Sequence, residues 1–496
     1  MNASAAAQAA EATDRDRIYD VVVVGAGPVG INAAGRVRAG GLSVALIERE
    51  LVGGECRHWG CIPSKALLRP VLALADARRV EGSREAVTGS VSASGVFARR
   101  DRYVTNWDDT PMADAVAGMG VDLFRGHGRL DGPCRVGVTT FDGAVLGLTA
   151  RHGVMICTGS SAMVPDVPGV AEAKPWTNRR ATDSSSVPRR LAIVGSGGVA
   201  TEMATAWQGL GSAVTLLSRG ASLLPRMEPF VGEYVARGLT EAGVDIRTRV
   251  SVAALHRSHD AGPVRVVLDN GDEIEVDEIL CATGRVPNTA DIGLETVGLQ
   301  PSVWIDVDDT CLVRGVDGEW LYALGDANHR ALLTHQGMYQ ARIAAAGLGA
   351  RAHGKAVDTA PWGQHVATAD NLAVPQAFFT DPEAGSVGLT VAQAHEGGYR
   401  FTTVDVDMGQ SVPGANLFAD GYVGWARMLV DLDQGYILGV TMVGPGVTEL
   451  LHSATIAVAG QLTIDRLWHA VPCFPTLSEV WLRLVEAYRD SPGATT

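Results

Sequence analysis

Twice along the chain a short apolar run gives way to a glycine-rich turn and then to a helical stretch. Ile18-Tyr19-Asp20-Val21-Val22-Val23-Val24 leads into Gly25-Ala26-Gly27-Pro28-Val29-Gly30, and Leu191-Ala192-Ile193-Val194 into Gly195-Ser196-Gly197-Gly198-Val199-Ala200. An apolar run of this kind reads as a parallel strand buried on both faces. In the turn that follows, the first glycine makes the tight bend, the second lets backbone approach a pyrophosphate, and the third packs helix on strand. A lone turn of this pattern is weak evidence, but each copy here is followed by a second strand. Ser43-Val44-Ala45-Leu46-Ile47 ends on Glu48, about twenty residues on, where a carboxylate can hold a ribose 2′-hydroxyl. Val214-Thr215-Leu216-Leu217 ends on Ser218-Arg219, a small hydroxyl and a cation that suit a 2′-phosphate. The second unit is therefore expected to take NADPH in preference to NADH. Arg226 offers a second charge, against the alternative that it is simply solvated.

Between the two units lies Gly53-Gly54-Glu55-Cys56-Arg57-His58-Trp59-Gly60-Cys61-Ile62-Pro63-Ser64-Lys65. Two cysteines so spaced cannot pair across a straight helix, but they can in a distorted first turn, and the glycines and Pro63 supply the distortion. Lowered thiol pKa values are expected near a helix N-terminus, so one sulfur can attack while the other leaves. A zinc half-site would need a second ligand pair, and Cys134, Cys157, Cys281, Cys311 and Cys473 are scattered singly.

This segment resembles the redox-active disulfide of the FAD-dependent pyridine nucleotide-disulfide oxidoreductases, the family of glutathione reductase, dihydrolipoamide dehydrogenase, mycothione reductase and mercuric reductase. Other stretches resemble the family along nearly the whole chain. They are Gly126-His127-Gly128-Arg129-Leu130, Ile156-Cys157-Thr158-Gly159-Ser160, Ala282-Thr283-Gly284-Arg285-Val286-Pro287-Asn288, Leu321-Tyr322-Ala323-Leu324-Gly325-Asp326-Ala327 and Val374-Pro375-Gln376-Ala377-Phe378-Phe379-Thr380-Asp381-Pro382-Glu383. The resemblance implies an α/β chain with two Rossmann-like domains, for FAD and NAD(P)H, and a C-terminal α+β dimerisation domain. After a disordered tail at 1–16, the FAD-binding domain would take 17–162 and 286–355, the NAD(P)H-binding domain 163–285 and the interface domain 364–490. Within the last, strands are expected at Tyr422–Val430 and Ile437–Val443 and a helix near Val447–Ala459.

The resemblance also implies roles. Cys61 would be the sulfur nearest the flavin, Cys56 the interchange thiol, and Lys65 with Glu202 an ion pair beside the flavin's reactive nitrogen. Asp326 would hold the ribityl chain. Gly25, Gly27, Gly30, Glu48, Gly54, Gly128, Ser160, Gly284 and Arg285 would complete the cofactor contacts, with Gly195, Gly197, Ser218 and Arg219 for the nicotinamide nucleotide. His127, in a loop between glycines, is read as structural rather than as a base.

At His469-Ala470-Val471-Pro472-Cys473-Phe474-Pro475-Thr476-Leu477-Ser478-Glu479 the likeness breaks. The family's disulfide reductases carry His-Pro-Thr-x-x-Glu here, the histidine moving protons and the glutamate orienting it. Pro475, Thr476 and Glu479 are kept, but Phe474 stands in the histidine's place and cannot carry a proton. One family member, 2-ketopropyl coenzyme M oxidoreductase/carboxylase, shares a phenylalanine there, though it lacks the glutamate. His469 and Cys473 are candidate substitutes, and His58, in the charged loop Arg57-His58-Trp59, is a candidate local proton source.

Composition narrows the partners. A formal charge of −14 argues against nucleic acid, since no Lys/Arg cluster is present to meet phosphates. No apolar run is long enough for a bilayer and no secretory pattern opens the chain. A soluble, cytoplasmic homodimer acting on a small thiol, disulfide or thioether is expected, with a flavin-only reductase of quinones, metals or oxygen as the alternative class.

Overall fold

The computed structural model describes residues 17–260 and 262–491. The Met1–Asp16 segment, read as a disordered tail, lies outside the described residues. The chain divides into two compact units, one holding the described residues up to Ile62 with Val104–Ser161 and Arg285–Asn371, the other holding Pro63–Tyr103, Ala162–Gly284 and the chain from Leu372 on.

In the first unit the strand Arg17–Val24 lies between Val44–Glu48 and Val145–Ile156, parallel to both, so that Val24 faces Ile47 on one side and Ile156 on the other. Asp122–Leu130 and Leu321–Ala323 extend this parallel sheet at its two edges. The strand Arg135–Thr140 is antiparallel to both Asp122–Leu130 and Val145–Ile156. Val21, Val22 and Val23 are wholly buried, as a strand covered on both faces requires. Helix α1 (Pro28–Ala39) begins with Pro at its first position, where the missing N–H is no loss, and carries Arg36 and Arg38 in its last turn, where cations suit the dipole. Its Ala33, Ala34 and Val37 share one apolar cluster with Ala341, Ala344 and Leu348 of the helix Thr334–Ala352. Helix α2 (Gly54–His58) is a single short turn ending at Trp59, and α3 (Cys61–Arg78) begins after Gly60.

The second unit repeats the parallel motif. Its strands run in the order Glu278–Cys281, Arg190–Val194, Ala213–Ser218 and Asp245–Thr248, all parallel. Helix α4 (Gly198–Gly209) is buried along most of its length, with Trp207 fully enclosed between Phe97 and Trp176. A five-stranded antiparallel sheet follows, ordered Gln376–Phe378, Ala384–Gly388, Ile437–Val443, Trp425–Asp431 and Phe401–Asp407. The helix Val447–Ala459 forms where expected. The strand read from Tyr422 begins only at Trp425, and the Tyr422 hydroxyl donates to the Pro445 carbonyl at 2.9 Å. Among the described residues, no helix is long and apolar enough to cross a membrane.

Candidate active site

The first glycine-rich turn is shaped by exclusion. Gly25 sits at φ +104°, and a Cβ there would lie 2.4 Å from the Cys157 carbonyl oxygen, while one on Gly30 would lie 1.8 Å from that of Gly25. A Cβ on Gly27 would meet nothing within 4 Å. The turn is thus closed behind and open in front, at a helix N-terminus with no side-chain cap, which is the shape a pyrophosphate needs. Gly54 brings the start of α2 against this turn, its Cβ position being 2.8 Å from the Gly27 Cα. Glu48 is almost fully buried, with one carboxylate oxygen accepting from the Ala26 N–H at 2.8 Å and the other from the Glu50 N–H at 2.7 Å. Burial pushes its pKa up while these backbone bonds pull against it. Each oxygen keeps a second lone pair, so a ribose hydroxyl can still be accepted. A Cβ on Gly128 would lie in tight contact with Ile47, 3.1 Å away.

Asp326 belongs to the same unit. Its carboxylate accepts from the Ser160 hydroxyl at 2.5 Å, and Arg285 donates to both the Ser160 hydroxyl and carbonyl at 2.5 Å. The turn carrying Asp326 is braced from behind by residues that sequence reading missed. The Gly325 N–H donates to the buried Gln340 side chain at 2.8 Å, and Gln340 and Gln336 each donate at 2.8 Å to the buried Asp370 carboxylate. These groups fit FAD: an open pyrophosphate cradle, a ribose-facing carboxylate and a fixed aspartate near the strand ends.

The two cysteines come together across the break between α2 and α3. The neighbouring Cys61 thiol, and then burial, push the Cys56 pKa up, the reverse of the lowering expected from a helix N-terminus. The reason is the pairing itself, since a second negative sulfur against the first is resisted. The Thr334 hydroxyl lies 3.4 Å from the Cys61 sulfur. Thr334 gave no sequence signal, being 273 residues away.

His58 is not in a loop. It ends α2, is wholly buried, and its Nε2–H donates to the Val52 carbonyl at 3.0 Å, with burial holding its pKa below the ordinary value. The Trp107 indole N–H donates to the His58 carbonyl at 3.1 Å, pinning the segment from outside. His127 likewise lies within the strand Asp122–Leu130 rather than a loop, 2.7 Å from the Asp291 carbonyl, in keeping with a structural role.

In the second unit, Lys65 of α3 and Glu202 of α4 form an ion pair at 2.7 Å. The second Glu202 oxygen accepts from the Phe379 N–H at 3.1 Å, and the Lys65 ammonium lies 5.0 Å from the Phe379 ring centroid. Phe379 thus orders both partners, a part its sequence context did not suggest. At the second glycine turn, a Cβ on Gly195 would lie 2.3 Å from the Ala282 carbonyl oxygen and one on Gly197 would meet nothing within 4 Å, repeating the cradle. Gly284 ends this unit, its carbonyl accepting from Met163 at 2.9 Å. Ser218 is fully buried and its hydroxyl donates to the Gly220 carbonyl at 3.1 Å, closing the turn, while Arg219 and Arg226 are exposed.

The terminal segment exposes His469, Cys473 and Phe474, with Phe474 75% and Val471 86% accessible. One Glu479 oxygen accepts from the Thr476 N–H at 3.1 Å and the Gly414 N–H at 3.2 Å, and Thr476 and Glu479 make a capping box. Glu479→Leu is expected to leave these two N–H groups unsatisfied and cost about 3 kcal/mol, checked by chemical denaturation.

Residues 19–346 match the family described as pyridine nucleotide-disulphide oxidoreductase, and residues 374–485 match its dimerisation domain. The chain belongs to that family. Dihydrolipoyl dehydrogenase of a Synechocystis species is 31% identical over 496 residues, spanning 96% of this chain and 99% of the relative. Mercuric reductase of Staphylococcus aureus is 29% identical over 470 residues, spanning 94% of this chain and 82% of the relative. Two solved structures share the fold with a TM-score of 0.80: the Cu(II) complex of the HOCl-induced flavoprotein disulfide reductase RclA from Escherichia coli, 24% identical, and LpdA from Mycobacterium tuberculosis, 23% identical. Each covers 95% of this chain, and 99% of each is covered in return. The protein is accordingly an oxidoreductase of a flavoprotein family that binds FAD and a pyridine nucleotide and contains a redox-active disulfide.

Proposed function

We propose that this oxidoreductase uses NADPH, FAD and the Cys56–Cys61 pair to exchange thiol and disulfide in a small molecule, with proton delivery that does not pass through residue 474. The observation that carries the reading is the placing of Cys56 in α2 and Cys61 at the start of α3, with the Thr334 hydroxyl 3.4 Å from the Cys61 sulfur. FAD, when bound, supplies the two-electron link between nicotinamide and the cysteine pair. Lys65 and Glu202 hold an ion pair, with Phe379 against both.

Once reduced, the Cys56 thiolate attacks a substrate disulfide, forming a mixed disulfide and releasing one thiolate. The Cys61 thiolate then attacks the Cys56 sulfur, restoring the Cys56–Cys61 disulfide and releasing the second thiolate. Two electrons leave the protein, and each departing thiolate takes one proton. The exposed, apolar ring of Phe474 contributes none. In this reading FAD is held by residues 17–162 and 286–355 and NADPH by 163–285, while residues 364–490 pair two chains into a homodimer in the cytoplasm. The matched dimerisation domain and the accessible Val471 and Phe474 support that pairing.

Phe474 favours a second reading, thiolate-driven cleavage of a carbon–sulfur bond with capture of the carbanion by carbon dioxide, because an aprotic wall protects a carbanion. Anaerobic titration of the holoenzyme with NADPH tests what both readings share. Uptake of two hydride equivalents per FAD is expected. Complete flavin bleaching by one equivalent would sink both and leave a flavin-only reductase of quinones, metals or oxygen.

A further inference from the structure

The turn after the strand Ala213–Ser218 is tied to a second segment that the reading of Ser218 and Arg219 did not include. The neighbouring strand Asp245–Thr248 ends with Thr248 opposite Ser218. Beyond it the Arg249 N–H donates to the Gly220 carbonyl and the Val250 N–H to the Ser218 carbonyl, both at 3.1 Å. Arg249 is therefore fastened on both sides to the turn that carries Arg219. Its φ of +57° is left-handed, a conformation that costs a branched chain and costs glycine nothing.

The charge balance at this turn is one-sided. Arg219, Arg226 and Arg249 are all exposed, and none is ion-paired with another described residue. The loop carrying Arg226 is seated beside the glycine turn by the Leu224 N–H, which donates to the Ser196 carbonyl at 2.8 Å. Glu228, the carboxylate nearest in sequence, is already engaged by Arg427 at 3.0 Å and the Val391 N–H at 2.7 Å. With the Ser218 hydroxyl turned inward, the recognition of a phosphate here falls to guanidinium groups.

We infer that Arg249 is a specificity-determining residue, the third guanidinium of the 2′-phosphate site, and this inference rests on the NADPH reading. Arginine suits the role because its fixed fork meets phosphate oxygens in pairs. The test is calorimetric binding of 2′,5′-ADP and 5′-AMP to the purified holoenzyme, two probes that differ only in the 2′-phosphate. Arg249→Ala is expected to weaken 2′,5′-ADP about tenfold and leave 5′-AMP unchanged. Arg249→Lys should recover part of the loss. Arg249→Gly should raise Tm by relieving the left-handed backbone while still losing affinity for 2′,5′-ADP. If wild type binds the two probes equally, the NADPH reading fails and takes this inference with it. If wild type prefers 2′,5′-ADP and the alanine and glycine variants do too, the NADPH reading stands and the role of Arg249 is overturned.

Discussion

Cys56→Ser is expected to lower NADPH-driven turnover of a disulfide or thioether substrate by on the order of 10⁴-fold or more, because a serine hydroxyl stays protonated where a thiolate attacks. The change is nearly isosteric, and serine can keep a hydrogen bond to Cys61, so the fold should be undisturbed. Reduction of an artificial dye by NADPH should persist, since it needs only the flavin. Steady-state rates with substrate and with dye, measured on one preparation, separate the two activities. Cys61→Ser gives the complementary result: Cys56 still attacks, but the mixed disulfide cannot be resolved, and a covalent substrate adduct should be seen by intact mass. Retained substrate turnover in Cys56→Ser would mean that the cysteines are bystanders and the protein is a flavin-only reductase.

How far the sequence reveals these parts depends on how local each one is. Gly25 and Gly30 are legible because the space behind the turn is filled, a Cβ on Gly30 running into the Gly25 carbonyl, while Gly27 faces open space. The expectations for Glu48 and Arg219 rest on two copies of one strand–turn–helix pattern. Cys56 and Cys61 can be read as a pair, but their acidity cannot, since it depends on burial and on their mutual contact. His58 and His127 mislead for the same reason. Each sits among residues that look like a loop, yet one closes a helix and is buried, and the other is stitched into a sheet by a partner strand.

The supports of the site are less legible still. Thr334 reaches Cys61, and Asp370 holds Gln336 and Gln340 behind Asp326, through contacts that only the assembled fold creates. Arg249 belongs with these, because its place beside Arg219 is set by the register of two strands rather than by spacing. Residue type is written in the sequence, whereas direction is written in the sheet. Glu479 shows the difference: the residue type matches a histidine-orienting acid, while one carboxylate oxygen is bound to two backbone N–H groups.

Phe474→His puts the proton-carrying step itself to the test. Positioned acid–base catalysis is worth about 10²–10⁴-fold, so if the working reaction is disulfide reduction, kcat should rise toward that range. The 75% accessibility of Phe474 in the protomer means an imidazole can replace the ring there without leaving a cavity. The capping box of Thr476 and Glu479 does not involve the 474 side chain, so the segment should keep its path. The Glu479 oxygen that does not accept from the Thr476 and Gly414 N–H groups remains available to orient the new ring. The gain should depend on pH with a definite sign. A histidine that protonates departing thiolates acts as its cation, so the advantage is full below about 6.5 and fades as pH rises through the imidazole pKa. Carbon–sulfur cleavage predicts the opposite outcome, because a proton donor at 474 would quench the carbanion before carbon dioxide reaches it, and carboxylated product would give way to the protonated one. A gain in disulfide turnover and a loss of carboxylation are therefore the two faces of one substitution, and whichever is observed identifies what the phenylalanine is there to prevent.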